Sequence, residues 1–155
     1  MDIEIKRPGV TILVGPNGCG KTSFLRSVFE KNNNSKTHIW YPSIDNINLT
    51  DNIFWDPRIE GLYKELSTKN FPPYPIYCWS RGESILASFC RLIYNIQEGD
   101  LVLLDDLGDG WHISVNVRLM DYLTKLAESK NLNIVLSTHD PSIIEDRWDL
   151  VVELS

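Results

Sequence analysis

Apolar residues along the chain gather in short blocks between glycine, proline and asparagine clusters, and the blocks switch between two periods. Val10-Thr11-Ile12-Leu13-Val14 is a β-branched run that opens onto glycines, which predicts a buried strand. From Lys21 to Phe29 the apolar positions Phe24, Leu25, Val28 and Phe29 share one broad helical face. Asn32-Asn33-Asn34-Ser35 closes that helix in a loop, and His38 to Tyr41 is a second strand stopped by Pro42. Farther on, Ser80 to Ile96 reads as a helix, Leu101 to Leu104 as a fully apolar strand and Val115 to Ser129 as a helix. Asn133 to Ser137 is a strand, Pro141 to Glu145 a short helix and Leu150 to Leu154 a last strand. Strands alternating with helices predict an α/β fold, a mainly parallel sheet flanked by helices.

Residues 43–79 break this rhythm. They carry Phe54, Trp55, Tyr63, Phe71, Tyr74, Tyr77 and Trp79 and the cluster Pro72-Pro73-Tyr74-Pro75, and they read as a compact insert whose aromatics fill a local core. A docking or base-stacking surface is the alternative. With 155 residues, 43% hydrophobic and 23% charged, the composition is globular and the length suits one domain over 1–155. The net charge is −6 and Lys6-Arg7 is an isolated basic pair, so the charge does not indicate a nucleic-acid surface, although a local patch would be compatible with it. Three cysteines without a CxxC pair suit a reducing cytosol, and no apolar run approaches the ~20 residues that span a bilayer. The expectation is a cytoplasmic protein without a membrane partner.

The first candidate chemistry follows the first strand. Gly15-Pro16-Asn17-Gly18-Cys19-Gly20-Lys21-Thr22 fits G-x-x-x-x-G-K-[ST] between a predicted strand and a predicted helix. Glycines let backbone N–H groups converge on phosphate oxygens, and the helix start adds partial positive charge. Lys21 can reach the β- and γ-phosphates and the Thr22 hydroxyl can ligate Mg²⁺. A phosphate-binding loop of this kind implies a P-loop NTPase with ATP and Mg²⁺ as ligands. Cys19 takes a free position of the motif, where a small side chain suffices.

The second lies at the end of the apolar strand Leu101 to Leu104, which delivers Asp105 and Asp106 to the edge where α/β sheets place ligands. One carboxylate, Asp105, can complete a Mg²⁺ shell while its neighbour Asp106 polarises an attacking water.

Taken together these segments resemble ABC-type ATPases. Asn17 within the loop matches that family's GxNGxGK[ST] form; Trp79-Ser80-Arg81-Gly82-Glu83 is similar to its LSGGQ or LSxGE signature; Asp105-Asp106 resembles the Walker B end and Ser137-Thr138-His139-Asp140 the switch-histidine segment. Asp105 to His112 looks most like the DEPExxLH stretch of soluble SMC-like, OLD-like and AAA-type ABC ATPases of DNA repair and phage defence. The resemblance implies a reduced ABC-type head. Asn17, Gly18, Cys19, Gly20, Lys21, Thr22 and Ser23 would face the nucleotide of their own subunit. Ser80 and Gly82 would face the γ-phosphate of another subunit's nucleotide, and His139 would attend the γ-phosphate or the water. Asp109 and His112 fall in the loop that joins subunits in that family. Ser80-x-x-Glu83 is equally a capping box that starts a helix.

The departures carry consequences. Asp106 stands where the family has glutamate, and a carboxylate drawn back by ~1 Å can slow a reaction ~10²-fold, so slow turnover is expected. No glutamine follows Trp40-Tyr41-Pro42-Ser43; Asn46, Asn48 or Asn52 would have to supply that amide. No upstream aromatic offers itself to the adenine, and the stretch from loop to signature is too short for a coiled-coil arm. Three functions compete. The expected one is a nucleotide-sandwich homodimer whose ATP hydrolysis drives association and dissociation, in DNA repair or in phage defence or counter-defence. The second is an ATP-holding adaptor or antagonist that joins a larger ABC-type ATPase or effector. The third, a small-molecule kinase, leaves His139 without a role and needs lid arginines, whereas Arg81 and Arg91 belong to the signature helix.

Overall fold

The computed structural model describes residues 9–16, 18, 20–32, 34–42, 57–73 and 79–154. In chain order the elements are β1 (Gly9–Val14), α1 (Lys21–Lys31), β2 (Thr37–Trp40), α2 (Pro57–Ser67), α3 (Arg81–Tyr94), β3 (Leu101–Leu104), α4 (Ile113–Ser129), β4 (Asn133–Ser137), α5 (Pro141–Ile144), a 3-10 turn (Trp148–Leu150) and β5 (Val151–Glu153). The chain divides into two compact units, Met1–Tyr41 with Gln97–Ser155, and Pro42–Ile96.

The first unit is a five-stranded sheet in the order β2-β3-β4-β1-β5, and every pairing is parallel. Parallel neighbours require crossovers, and α4 provides the one from β3 to β4. On one face Leu13, Leu101, Leu103 and Val135 pack with Leu25 of α1, flanked by Phe24, Val28 and Phe29. Alternation sends Ile12, Val102, Leu104, Ile134 and Leu136 to the opposite face, where each is fully buried. α4, which packs against β1 and β4, covers that side through Leu119, Met120 and Leu123. This two-sided burial explains why the strands read as continuous apolar runs rather than as alternating ones. Because all strands run the same way, the ends of β1, β3 and β4 open on one edge, side by side.

The second unit contains α2 packed on α3. Ile59, Leu62, Tyr63 and Leu66, spaced i, i+3, i+4 and i+7, form the buried stripe of α2, and Pro57 starts it at a position where the missing N–H is harmless. The helix α2 adds a regular element to 43–79, which reads from sequence only as a compact insert. Tyr63 meets Phe71 at 4.8 Å between ring centroids, and Phe71 meets Trp79 at 5.4 Å, so the described aromatics do build a local core. Phe54, Trp55, Tyr74 and Tyr77 lie outside the described residues. α3 buries Ser84 through Cys90, and desolvation pushes the Cys90 thiol up, making it a packing residue. Among the described residues no helix is long and apolar enough to cross a membrane.

Candidate functional site

The loop after β1 bends through Gly18 at φ 81° and Gly20 at φ 97°, backbone states that favour glycine. Space around both is open, so it is the turn and not packing that asks for glycine. Gly20 is also the N-cap of α1, and no side chain caps that helix start. A helix of eleven residues therefore presents its leading N–H groups and its dipole to the loop's concavity. Lys21 is only 6% exposed. Its ammonium donates to the carbonyls of Gly15 and, at 3.2 Å, of Pro16, which holds a buried positive charge inside the same concavity. Ser23 is exposed on the first turn. Asn17 and Cys19 lie outside the described residues.

The strand order brings Asp105 to this loop. Thr22 Oγ1 donates to Asp105 Oδ2 at 2.9 Å, and Ser137, from the end of the intervening β4, donates to Asp105 Oδ1 at 2.8 Å. Thr22 and Asp105 thus set one hydroxyl and one carboxylate side by side, the oxygen donors that would hold a Mg²⁺ ion. Among the described residues no cluster of three or more His, Cys, Asp or Glu side chains forms a metal cage. One carboxylate and one hydroxyl suit an ion that keeps its waters and takes its remaining ligands from phosphate.

Ser137 also separates the two acids. Its Oγ accepts from the Asp106 N–H at 2.9 Å while it donates to Asp105, so Asp105 turns inward and Asp106 outward. Asp106 sits at φ 48°, a left-handed conformation that aspartate tolerates better than most residues. Its carboxyl is raised from the ordinary value, first by desolvation and then by the Asp105 charge and the Asp109 charge, while His139 and Lys21 oppose the rise. His139 Nε2 stands 3.6 Å from Asp106 Oδ1. Both line an open cleft of about 370 Å³ with Leu107, Asp109, Gly110, Asp140 and Pro141. A water in this cleft would meet a carboxylate with increased basicity beside an imidazole.

The fold of the first unit thus gathers Lys21, Thr22, Asp105, Asp106 and His139. Ser80 and Gly82 belong to the second unit. Ser80 is the N-cap of α3: its Oγ accepts from Glu83 N–H at 3.2 Å and its own N–H donates to Glu83 Oε1 at 2.8 Å, a complete capping box. Ser80 is exposed, so the helix start faces solvent. His112 acts locally as the cap of α4, its Nδ1 meeting Ser114 N–H at 3.1 Å and Ser114 Oγ at 2.8 Å. Asn46, Asn48 and Asn52 lie outside the described residues. Ser137 has no site role in the sequence reading, although a polar residue closing the apolar run Asn133–Ser137 is the available signal.

Solved structures share the fold over nearly the whole chain. The dimeric structure of MJ0796, a bacterial ABC transporter cassette, superposes with a TM-score of 0.69 at 15% identity, covering 98% of this chain and 83% of that one. CbiO1 from Clostridium perfringens, part of the ABC transporter complex cbiONQ, gives 0.67 at 16% identity over 100% and 76%. The fold is that of an ABC-type ATPase head. Curated relatives of the chain include the aliphatic sulfonates import ATP-binding protein SsuB 1 of Pseudomonas savastanoi pv. phaseolicola, 24% identical over 90% of this chain and 66% of the relative. The zinc import ATP-binding protein ZnuC of Pseudomonas fluorescens is 22% identical over 96% and 64%. The chain therefore spans about two thirds of the length of the curated relatives it matches. No protein-family model matches it.

Proposed function

We propose that this head binds ATP with Mg²⁺ and hydrolyses it slowly, as a nucleotide-sandwich homodimer whose association and dissociation follow the nucleotide. The observation that carries the reading is the meeting of Lys21, Thr22 and Asp105 with the Asp106–His139 pair on one sheet edge. Loop amides and Lys21 would hold the phosphate chain and neutralise the γ-phosphoryl as charge shifts onto it. Mg²⁺, held by Thr22 and Asp105, would supply Lewis-acid polarisation of phosphate oxygens. Asp106 would accept the proton of the water that attacks the γ-phosphorus as the β–γ bridging bond breaks, and His139 would orient that water. The exposed N-terminus of α3, with Ser80 and Gly82, is free to meet the phosphate of a facing subunit. Both compact units act as one head over 1–155 in this reading.

A related structure describes a post-hydrolysis state of a dimeric cassette bound to ADP and Pi, which supports hydrolysis within a dimer by analogy of fold. The curated relatives are named for import, whereas residues 105–112 resemble soluble ATPases of DNA repair and phage defence, and we retain the latter as the proposed context. A second reading, an ATP-holding adaptor for a larger ABC-type ATPase or effector, is favoured by Asp106 in place of glutamate. Native mass spectrometry and phosphate release, for the wild type and Asp106→Asn with MgATP, separate the two. ATP-dependent dimers together with released phosphate support the first. ATP retained by monomers without phosphate release supports the second.

A further inference from the structure

Asn116, in the first turn of α4, is fully buried. Its side-chain NH₂ donates towards the Gly108 carbonyl at 3.3 Å, Asp140 Oδ2 at 3.0 Å and Ser142 Oγ at 3.2 Å. Two hydrogens thus serve three acceptors on two loops. Its Oδ1 is buried with no hydrogen-bond partner among the described residues, a cost in stability that an apolar residue of similar size would avoid. A buried amide kept at that cost calls for a reason other than packing.

The reason lies in what the two loops carry. Gly108 is two residues past Asp106, and Asp140 directly follows His139. Near the strands the loops are already joined: Leu107 N–H donates to Ser137 O at 2.9 Å and Thr138 Oγ1 donates to Leu107 O at 2.7 Å. Asn116 ties them again at their far ends. We propose that Asn116 is a positioning residue, which sets the separation of Asp106 and His139 without touching nucleotide. This inference rests on the hydrolysis reading above. Each loop has support of its own, since Trp111 N–H reaches Gly108 O at 3.3 Å and Asp140 Oδ1 takes Ser142 N–H at 2.9 Å. Loss of Asn116 therefore loosens the loops relative to one another and leaves each turn in place. Asp106 at φ 48° depends on such external support.

The test uses Asn116→Ala and, to fill the space the amide leaves, Asn116→Leu. Amide hydrogen exchange without nucleotide should quicken about 10-fold or more at Leu107 and Asp140 and stay unchanged at Val102, Leu103, Ile134 and Val135 in the strands. Phosphate release from MgATP should fall about 10-fold or more in kcat while MgATP affinity stays within about 2-fold, since Lys21, Thr22 and Asp105 are held elsewhere. Asn116→Asp, whose carboxylate cannot donate to the Gly108 carbonyl, should loosen the loops as Asn116→Ala does. Uniform acceleration across the strands, unchanged loop amides, or an unchanged kcat would each overturn the proposal. If the wild type releases no phosphate, the functional reading falls, and the exchange measurements alone decide whether Asn116 ties the loops.

Discussion

His139 Nε2 and Asp106 Oδ1 stand 3.6 Å apart at the mouth of the cleft, and half the side-chain surface of His139 is open to solvent. A histidine this exposed contributes little to folding, but next to a carboxylate raised by burial and by Asp105 it alters proton affinity at the position where water would be activated. Asp106→Asn should therefore lower phosphate release by about 100-fold or more, the scale of general-base catalysis. It should also raise the thermal midpoint of the nucleotide-free chain at neutral pH. With its folded pKa above the unfolded value, Asp106 contributes stability while protonated, and that stability is lost as pH rises through the folded pKa. The amide avoids that loss, so the gain should vanish in acid, below the ordinary carboxylate value. Calorimetry at both ends of that range checks the sign.

The pH dependence of hydrolysis should report the same carboxyl. Under the proposed function its unprotonated form would be the base, so kcat should fall as pH drops through a value above the ordinary 3.8 of an aspartate. Neighbours move this inflection in opposite directions. His139→Gln removes a positive influence that lowers the pKa, so the inflection should shift up; Asp109→Asn removes a negative one, so it should shift down. Parallel shifts of both variants would contradict the assignment of the base to Asp106.

Gly108 joins this loop to the buried face of α4. Its φ is 90°, and a Cβ there would lie 3.0 Å from Asn116 Nδ2 and 3.1 Å from Ile143 Cγ1. Left-handed strain and overpacking each cost a few kcal/mol at most, so Gly108→Ala should destabilise by about 2–4 kcal/mol in urea denaturation. By contrast Gly18→Ala meets no heavy atom within 4 Å and incurs only the backbone strain. The difference between the two substitutions isolates the packing contribution.

Much of this is open to sequence reading because the decisive signals are local. β3 and β4 fall on the predicted residues, and α1 and α4 run two residues beyond the predicted ends, at Lys31 and Ile113 respectively. Lys21, Thr22, Asp105 and Asp106 each sit directly after an apolar strand or a glycine turn, so their position in the pattern exposes them, whereas His139 is picked out by the resemblance of its segment to ABC-type ATPases. α2 escapes the sequence reading even though Ile59, Leu62, Tyr63 and Leu66 keep a helical period, because flanking prolines and aromatics dominate that stretch. For Ser137 the sequence offers only its polarity at the end of an apolar run, and for Asn116 it offers nothing, for a different reason. The role of Ser137 follows from β4 lying between β1 and β3, and that of Asn116 from β3 and β4 being neighbours; strand order does not appear in the periodicity of any one element.

In the proposed function, nucleotide binding hangs on Lys21. At 6% exposure its ammonium is already desolvated and fixed by the Gly15 and Pro16 carbonyls, so a phosphate meets a preorganised charge. MgATP at about 100 times its Kd should stabilise the wild type by about 2.7 kcal/mol, and Lys21→Ala should show no such gain. Chelating Mg²⁺ with EDTA should remove part of the gain through Thr22 and Asp105 and leave the nucleotide-free midpoint unchanged. A thermal-shift series in ATP with and without Mg²⁺ measures both.

Ser80 permits its two roles to be separated. Within its own chain it caps α3, and Ser80→Ala should cost about 1 kcal/mol through the lost bond to Glu83 N–H. Aspartate caps a helix as well as serine does, so Ser80→Asp should keep stability within about 0.5 kcal/mol of the wild type. The same carboxylate, however, would confront the γ-phosphate of a facing subunit with like charge in the proposed sandwich. Ser80→Asp should then bind MgATP as a monomer with wild-type affinity yet fail to dimerise, most clearly in an Asp106→Asn background where ATP persists. Sedimentation velocity with and without MgATP reads the outcome. If Ser80→Asp dimerises as well as its parent, the start of α3 faces no phosphate across an interface, and Ser80 serves only as the helix cap.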